Sequence, residues 1–283
     1  MSLKVMSLCS GIGGLELGLA DVFDSELVAV AETDRVASEL LADKFNVPNL
    51  GDIVYGGNIV EADMVVAGFP CQPVSVARGN NREGVDDERW IIKDVCRMAR
   101  DSGAEYLLLE NVRGILTASN RRALARVCAE MAYHGYTRWA WQTFKASQVG
   151  APHRRDRWFC IAVTANANIE RLQRHRTKHE LAQSIQETEA TRSDHLRDGD
   201  EQQYYGRYLE AIERWERIIG RQAPIPHDGW RMNPVFVEWM MGFPEGWITD
   251  YGFSYKNTIK CLGNAVVPKQ ASKAYNLLLN HLK

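Results

Sequence analysis

Residues 1–165 alternate short apolar runs with stretches whose apolar side chains recur at helical spacing. The short runs have the length and the flanking turn residues that are typical of strands. They are "KVMSLCSG", "ELVAVAET", "ADMVVAGF", "AEYLLLENV", "TRWAWQTFKA" and "RRDRWFCIAVTA". Strands and helices that alternate in this way form a doubly wound α/β sheet in which most strands are parallel. The pattern therefore predicts such a sheet for this part of the chain.

Four residues with chemical potential fall near the ends of predicted strands. Gly11, Glu32, Cys71 and Glu110 lie at or just after the ends of the first four runs. Ligands of open α/β sheets bind beyond the carboxyl ends of the strands. We therefore expect these four residues to share one site.

The alternation stops at about residue 166. Residues 166–203 are polar and contain few large apolar side chains, which is typical of a surface segment. Helical spacing returns in "YYGRYLEAIERWERIIGR", followed by the compact apolar element "NPVFVEWMMGFPEGW". The last stretch ends in a predicted helix that could pack back on the first part of the chain.

Composition excludes several classes of protein. The net charge of -2 over 283 residues argues against a broadly basic nucleic-acid coat, so any nucleic-acid contact must come from a local basic patch. No apolar run approaches the roughly 18 residues of a membrane span, and the N-terminal sequence lacks a signal-peptide pattern. Six cysteines show neither CxxC pairs nor metal-ligand spacing, which favours reduced thiols in a cytoplasmic protein without a metal.

A glycine-rich turn, "LCSGIGG", follows the first predicted strand and opens a helix. Glycines there allow a ligand to approach the backbone, although a turn of this kind can also serve packing alone. Glu32 follows about twenty residues later, where an acid can bind ribose hydroxyls. Asp52 ends the next short segment. These three elements suit a nucleoside ligand without a phosphate-binding lysine, and S-adenosylmethionine is such a ligand.

The remaining polar signals suggest covalent catalysis. "GFPCQPVS" presents Cys71 after a proline at the end of an apolar run, as either a tight structural turn or a reactive thiol on a rigid loop. Glu110 follows four apolar residues, so partial desolvation would raise its pKa. Arg155 and Arg157 would face the same side of a strand and suit a phosphate or a carbonyl oxygen. A solvated loop acid and a salt-bridged surface strand are the structural alternatives.

Together these motifs closely resemble the DNA (cytosine-5)-methyltransferases over nearly the whole chain. The resemblance rests on the order and spacing of the individual motifs. The matching segments are "LCSGIGG", "AETD", "GDI", "GFPCQPVS", "DDER", "ENV", "APHRRDR", "MNPVFVEWMMGFP" and "LGNAVVP". His153 stands where the family usually has glutamine. The resemblance implies a Rossmann-like, S-adenosylmethionine-dependent methyltransferase fold with a small target-recognition domain.

The resemblance also implies a division of the chain and a set of catalytic roles. Residues 1–165 would form the catalytic and cofactor-binding domain, 166–245 a small target-recognition region, and 246–283 a segment that returns to the catalytic domain. In such enzymes the cysteine, here Cys71, attacks C6 of a flipped-out cytosine while the acid, here Glu110, holds and protonates N3. By the same resemblance Arg157 would contact the cytosine O2, and Arg155 would act through the phosphate backbone or through Glu110.

The same resemblance implies a binding site for S-adenosyl-L-methionine, whose product is S-adenosyl-L-homocysteine. Cys9 stands where the family often has phenylalanine, and Thr33 stands where a bulky apolar residue is common. The adenine face would then be covered by Ile53 or Arg35. The expected cofactor-binding residues are Cys9, Ser10, Gly11, Ile12, Gly13, Gly14, Glu32, Thr33, Asp52, Ile53, Pro70, Ile91, Asn264 and Val266.

Double-stranded DNA is the implied partner of the chain. Ser75 and Arg78 would contact phosphate from the loop after the nucleophile. The basic cluster "RLQRHRTKH" is the best candidate for DNA contact within the target-recognition region, although a solvated linker is an equal alternative. Its expected DNA-binding residues are Arg171, Arg174, Arg176 and Lys178. The resemblance further suggests a monomer, with a possible cognate restriction enzyme, in an orphan, phage or restriction-modification setting.

Three other functions remain open from the sequence. An RNA-directed relative would share these motifs, but that branch usually has two prolines in its nucleophile loop and "GFPCQ" does not. A Rossmann-like binding protein without transfer activity would need none of Cys71, Glu110 and Arg157, so their presence argues against it. A donor group other than methyl is the third alternative.

Overall fold

The computed structural model describes residues 2–54, 58–70, 91–117, 121–177, 205–227 and 229–282. The strands within these residues are β1 Leu3–Leu8, β2 Ser25–Ala31, β3 Met64–Gly68, β4 Tyr106–Val112, β5 Tyr136–Lys145 and β6 Asp156–Thr164. The α-helices are α1 Gly14–Ala20, α2 Arg35–Phe45, α3 Ile92–Asp101, α4 Arg121–Tyr133, α5 Ile169–Arg174, α6 Leu209–Ile219, α7 Pro234–Met240, α8 Tyr255–Asn264 and α9 Pro268–Asn280.

The six strands form one sheet in the order β2-β1-β3-β4-β6-β5. β1, β2, β3 and β4 are parallel to one another. β6 runs antiparallel to both of its neighbours, β4 and β5. Because β6 is reversed, its first residues lie at the same edge of the sheet as the last residues of β4.

Both faces of the sheet are covered, and the alternation of side chains along β4 shows how. Leu107 and Leu109 belong to an apolar core that includes side chains of α3 and α4. Tyr106 and Leu108 belong to a second core that includes side chains of α1 and α9. Buried on both faces, the strand needs the continuous apolar run "YLLL" that the sequence shows. The predicted doubly wound, mostly parallel α/β fold is therefore confirmed.

A third apolar cluster joins α6 and α7 to the start of the chain. Trp215 and Trp239 are buried in it, and the Trp215 indole donates a hydrogen bond to the Trp239 carbonyl at 3.0 Å. Trp247 donates to the carbonyl of Ile12 at 2.7 Å. The aromatic residues of this region thus serve packing, and one of them fixes the glycine-rich turn.

Helix α9 packs against α1, β5 and β6, so the last part of the chain contacts the main sheet. The contact with α1 is close enough to require glycine. A Cβ on Gly14 would lie 2.2 Å from the carbonyl oxygen of Val266, and one on Gly18 would lie 2.6 Å from that of Pro268. The domain boundaries at residues 165 and 245 stay predictions.

We predict that Gly18→Ala destabilises the protein although alanine favours helices. The added methyl group would overlap the Pro268 carbonyl and the Cβ of Ala271. Overpacking of this kind costs about 1–3 kcal/mol, against a gain of about 1 kcal/mol in helix propensity. Thermal unfolding should show a lower Tm for this variant.

The matched control is Gly263→Ala in α8, where the added Cβ meets no atom within 4 Å. That variant should unfold at or above the wild-type Tm. Equal Tm values for Gly18→Ala and the wild type would contradict the close packing of α1 on α9.

Candidate active site and cofactor cleft

Polar side chains lie together at one edge of the sheet, because the parallel strands end there and the reversed strand β6 begins there. Glu110 lies near the end of β4, and its partner in register on β3 is Gly68. Val112 of β4 pairs with Arg157 of β6. The glycine-rich turn follows β1 at the same edge, and Glu32 follows β2.

Glu110 and Arg157 form a buried ion pair at this edge. The Arg157 Nε lies 2.9 Å from Glu110 Oε1, and Glu110 is 7% exposed. Burial raises the pKa of Glu110, whereas the guanidinium groups of Arg157 and Arg155 act in the opposite direction. Desolvation therefore outweighs the arginines, and the carboxyl group holds its proton to a higher pH than an exposed glutamate does.

Gly68 lies beside the Glu110 carboxyl group. A Cβ at this position would lie 3.4 Å from Glu110 Oε2 and 3.7 Å from the carbonyl oxygen of Cys9. One small residue thus separates the acid from the glycine-rich turn. Sequence reasoning did not identify Gly68, although it directly precedes the "FPCQ" segment.

Arg155 differs from the sequence expectation. It precedes β6, so strand alternation does not place it on the face of Arg157. Its guanidinium group donates to the carbonyl oxygens of Gly263, at 2.9 Å, and Ala265. The guanidinium group of Arg155 is therefore engaged by the end of α8, and the catalytic role expected for Arg155 stays a prediction. Arg155 binds the C-terminal end of α8, while its charge still acts on Glu110.

Asn111 connects β4 to the segment that leads toward Cys71. Its side-chain amide donates to the carbonyl oxygen of Phe69 at 3.1 Å, and its side-chain oxygen accepts from the amide of Val112 at 2.8 Å. Asn111 is almost fully buried. Both of its polar groups therefore hold backbone in place at the base of the predicted nucleophile loop.

The glycine-rich turn has the backbone shape that its sequence requires. Cys9, Gly11 and Gly13 have φ values of 54°, 56° and 88°. Glycine adopts this left-handed region readily, whereas a cysteine there is uncommon. The Gly11 amide donates to a carboxylate oxygen of Glu32 at 2.8 Å. The turn after β1 and the acid after β2 are thus directly connected.

Three acidic or ionisable predicted residues share this part of the cleft. Desolvation, together with the carboxylates of Glu32 and Asp52, raises the pKa of the Cys9 thiol to about 12. Cys9 is therefore a neutral thiol at physiological pH and not a nucleophile. The same interactions indicate that Glu32 and Asp52 lie near the turn, as a nucleoside site requires.

The other predicted cofactor residues are distributed around this cleft. Val266 is buried against α1 through its contact with Gly14, and Ile53 is buried in the core under α3. Ile91 is partly buried where α3 begins, and Asn264 is exposed at the end of α8. Thr33 is exposed and Pro70 is partly buried. Ser10, Ile12, Gly13 and Gly14 complete the turn and the start of α1.

His153 links the predicted arginine motif to the target-recognition region. Its Nε2 donates to the carbonyl oxygen of Met240 at 3.2 Å, and its Nδ1 accepts from the amide of Arg155 at 3.4 Å. These two bonds require one neutral tautomer. Burial lowers the pKa of His153 to about 4, which keeps the ring neutral.

The basic cluster does not lie at this edge. Arg171 of α5 forms an ion pair with Asp63 at 2.7 Å, and Asp63 precedes β3 at the amino edge of the sheet. Arg176 donates to Asn276 at 2.9 Å, and Arg174 is exposed on the same short helix. These arginines therefore lie at the opposite edge from Glu110, and the structure does not bring them together with the catalytic candidates.

Several predicted residues lie outside the described part of the chain. They are Cys71, Ser75, Arg78 and Lys178. Within the described ranges, no group of three or more His, Cys, Asp or Glu side chains is arranged to bind a metal ion. Nor does any helix in those ranges have the length and apolar character needed to cross a membrane.

We predict that Asn111→Asp destabilises the protein. The substitution replaces the donor to the Phe69 carbonyl with a buried carboxylate oxygen of nearly the same shape. Leaving a buried acceptor without its donor costs about 1–3 kcal/mol, and more when a charge is buried. Urea unfolding should show a lower midpoint, while the exposed control Asn58→Asp should match the wild type. An unchanged midpoint for Asn111→Asp would refute this role.

We also predict an acid sensitivity that depends on His153. Its pKa of about 4 in the folded state lies below that of an unfolded histidine, so the unfolded chain binds the proton first. The stability that neutral His153 contributes is therefore present above about pH 6.5 and lost progressively as the pH falls toward 4. Tm measured across this range should fall less in His153→Gln than in the wild type. The exposed His281→Gln control should follow the wild type, and parallel curves for all three proteins would contradict the assignment.

Solved structures of methyltransferases share this fold. The Entamoeba histolytica methyltransferase EhMeth superposes with a TM-score of 0.63 at 16% identity, covering 100% of this chain and 99% of that one. The Schizosaccharomyces pombe Dnmt2 methyltransferase gives a TM-score of 0.59 at 18% identity, with 99% of each chain covered. At such low identity the likeness concerns the fold alone.

Sequence comparison gives the family. The type II methyltransferase M.BanI of Aneurinibacillus aneurinilyticus is 29% identical over 245 residues, which are 82% of this chain and 56% of that protein. M.BsuFI of Bacillus subtilis is 33% identical over 60% of this chain and 41% of its own. The chain thus spans about half the length of the curated relatives it matches. The model of the C-5 cytosine-specific DNA methylases matches residues 3–216, so the chain belongs to that family.

Proposed function

We propose that this protein transfers a methyl group from S-adenosyl-L-methionine to C5 of a cytosine in duplex DNA. The observation that carries the proposal is the buried Glu110–Arg157 pair, which is separated from a glycine-rich turn by a single glycine, Gly68. An acid with a raised pKa next to a nucleoside-type cleft is the arrangement that this reaction needs. Family membership and the type II methyltransferases among the relatives support DNA as the substrate.

The residues of the cleft fit S-adenosylmethionine. A Cβ at Gly11 would meet no atom within 4 Å, so the turn leaves open space beside its backbone. Glu32 would hold the ribose hydroxyls and Asp52 the adenine, with Asn264 and Val266 closing the far side. When bound, the cofactor supplies an electrophilic methyl group and leaves as S-adenosyl-L-homocysteine.

Glu110 acts as the acid in this mechanism. Because burial raises its pKa, the carboxyl group holds its proton to a higher pH than an exposed glutamate does, which favours donation of that proton to the cytosine N3. Protonation at N3 makes C6 a better electrophile. Arg157 fixes the orientation of the carboxyl group from one side and donates toward the cytosine O2 from the other.

Cys71 is the proposed nucleophile, by resemblance to the family. Its thiolate attacks C6 of a cytosine that has left the base stack, at a cost of a few kcal/mol that pocket contacts offset. C5 then takes the methyl group, the C5 proton is lost to a base, and elimination frees the thiolate. Asn111 supports this step by holding the Phe69 carbonyl two residues before Cys71.

The remaining predictions concern the setting of the enzyme. Ser75 and Arg78 would contact phosphate next to the flipped base, and residues 166–245 would select the sequence. Restriction-modification, phage and orphan settings, a monomeric state and a cytoplasmic location are expected from the sequence and the resemblance.

Trapping on duplex DNA that contains 5-fluorocytosine would test the proposal. Fluorine cannot leave C5 as a proton does, so the wild type should form a covalent adduct that survives denaturation and requires S-adenosylmethionine. Cys71→Ser should form none. Glu110→Gln should form the adduct at least about a hundredfold more slowly, because it cannot donate the proton.

Cys128→Ser provides the matched control, since Cys128 is a thiol of α4 and should leave trapping unchanged. Sequencing the trapped DNA would give the recognition site. An adduct with tRNA and none with DNA would move the assignment to an RNA-directed enzyme. Cofactor binding without any adduct would favour a binding protein, and would refute the proposed transfer.

A further inference from the structure

A second buried carboxyl group lies beneath the glycine-rich turn. Glu16 is in the first turn of α1 and is 5% exposed. It accepts a hydrogen bond from the Ser7 hydroxyl of β1. Ser10 donates in turn to the Ser7 hydroxyl at 2.9 Å and to the Ser7 carbonyl at 3.2 Å. A chain of hydroxyl donors thus runs from the turn to the Glu16 carboxyl group.

Two titratable groups from other elements lie within electrostatic range of Glu16. Glu32, after β2, is the carboxylate whose charge opposes its ionisation. Tyr275 of α9 lies within electrostatic range of both Glu16 and Glu110. Arg157 and Arg155 act on Glu110. The carboxyl groups near the turn therefore include Glu16, Glu32 and Asp52.

One carboxyl oxygen of Glu16 also lacks a hydrogen-bond partner among the described residues. Its Oε2 and the Tyr275 hydroxyl are both buried without a hydrogen-bond partner among the described residues. Burial raises the pKa of Glu16 to about 7, while the hydrogen bonds from Ser7 and Ser10 lower it and Glu32 raises it. A glutamine or an apolar residue would fill this position without a buried ionisable group. The mechanism above does not use Glu16.

We propose that Glu16 discriminates by charge between S-adenosylmethionine and S-adenosylhomocysteine. The inference rests on the proposed function, since it concerns the cofactor of that reaction. The two ligands differ by a methyl group and by the positive charge of the sulfonium. Ionised Glu16 adds a negative charge beneath the turn that attracts the cation, and this attraction is absent for the neutral thioether. When Glu16 is neutral, its contribution to this distinction is lost.

This coupling has a defined sign. Binding of the cation favours loss of the Glu16 proton, and conversion of the ligand to the neutral thioether favours its return. The preference for S-adenosylmethionine over S-adenosylhomocysteine should therefore be small at a pH where Glu16 is protonated. It should rise over the pH range in which Glu16 loses its proton. Release of the product is then assisted by the loss of this attraction.

The test is titration calorimetry with each ligand alone, without DNA, between about pH 6 and about pH 8. For the wild type, the ratio of the S-adenosylhomocysteine Kd to the S-adenosylmethionine Kd should rise about fivefold over this range. In Glu16→Gln, which keeps the shape of the side chain but cannot ionise, the same ratio should change by less than about twofold over this pH range. Protonation of the ligands themselves changes the Kd ratio in the same way for both proteins, so its effect cancels when the two proteins are compared.

Two further variants separate charge from structure. Ser7→Ala removes the donor that stabilises ionised Glu16, so the transition should move to higher pH. This result keeps the inference testable if Glu16→Gln does not fold. Glu110→Gln removes the other buried acid and should retain the wild-type rise.

Several outcomes would overturn the inference. They are a wild-type ratio that does not change with pH, a rise that persists in Glu16→Gln, and a rise that Glu110→Gln abolishes. In each of these cases both ligands still bind, so the proposed function stands. Failure of both ligands to bind at any pH would instead refute the proposed cofactor, and with it both proposals.

Discussion

The reversal of β6 is the constraint on which the candidate site depends. Inserted antiparallel between β4 and β5, it brings its first residues to the edge where the parallel strands end. Arg157 is thereby placed 2.9 Å from Glu110, and each charge is compensated where burial alone would be costly. If β6 were parallel, its arginine would lie at the amino edge, and Glu110 would be a buried acid without a cation.

The electrostatics of the cleft follow from the residues that cover it. Glu110 and Glu16 are both buried and both have raised pKa values, but only Glu110 has an arginine partner. Glu32 instead uses its carboxylate to hold the Gly11 amide. The cleft therefore combines an acid suited to proton transfer with neighbouring carboxylates suited to a cationic ligand. Cys9, with its raised pKa, adds no competing thiolate.

The C-terminal segment completes the cleft through close packing. Gly14 and Gly18 present one face of α1 without side chains, so the backbone after α8 and the start of α9 approach it closely. Hydrogen bonds of Arg155 and Gln270 to backbone carbonyls also join this segment to β5 and to the start of β6. The segment that carries Asn264 and Val266 is thus held beside the glycine-rich turn by close backbone contacts and by the apolar cores that it shares with α1 and the turn.

The sequence by itself determined the strands, the doubly wound sheet and the gathering of Gly11, Glu32 and Glu110 at one edge, because apolar periodicity and strand ends are local properties of the chain. It did not reveal that β6 is antiparallel, that Arg155 binds the C-terminal end of α8, or that Arg171 and Arg176 lie at the opposite edge with partners of their own. The partners of charged side chains come from distant parts of the chain, so only the tertiary structure decided them. Burial decided the rest, since a glutamate that is an ordinary solvated acid when exposed has a raised pKa when it is enclosed, as Glu110 is.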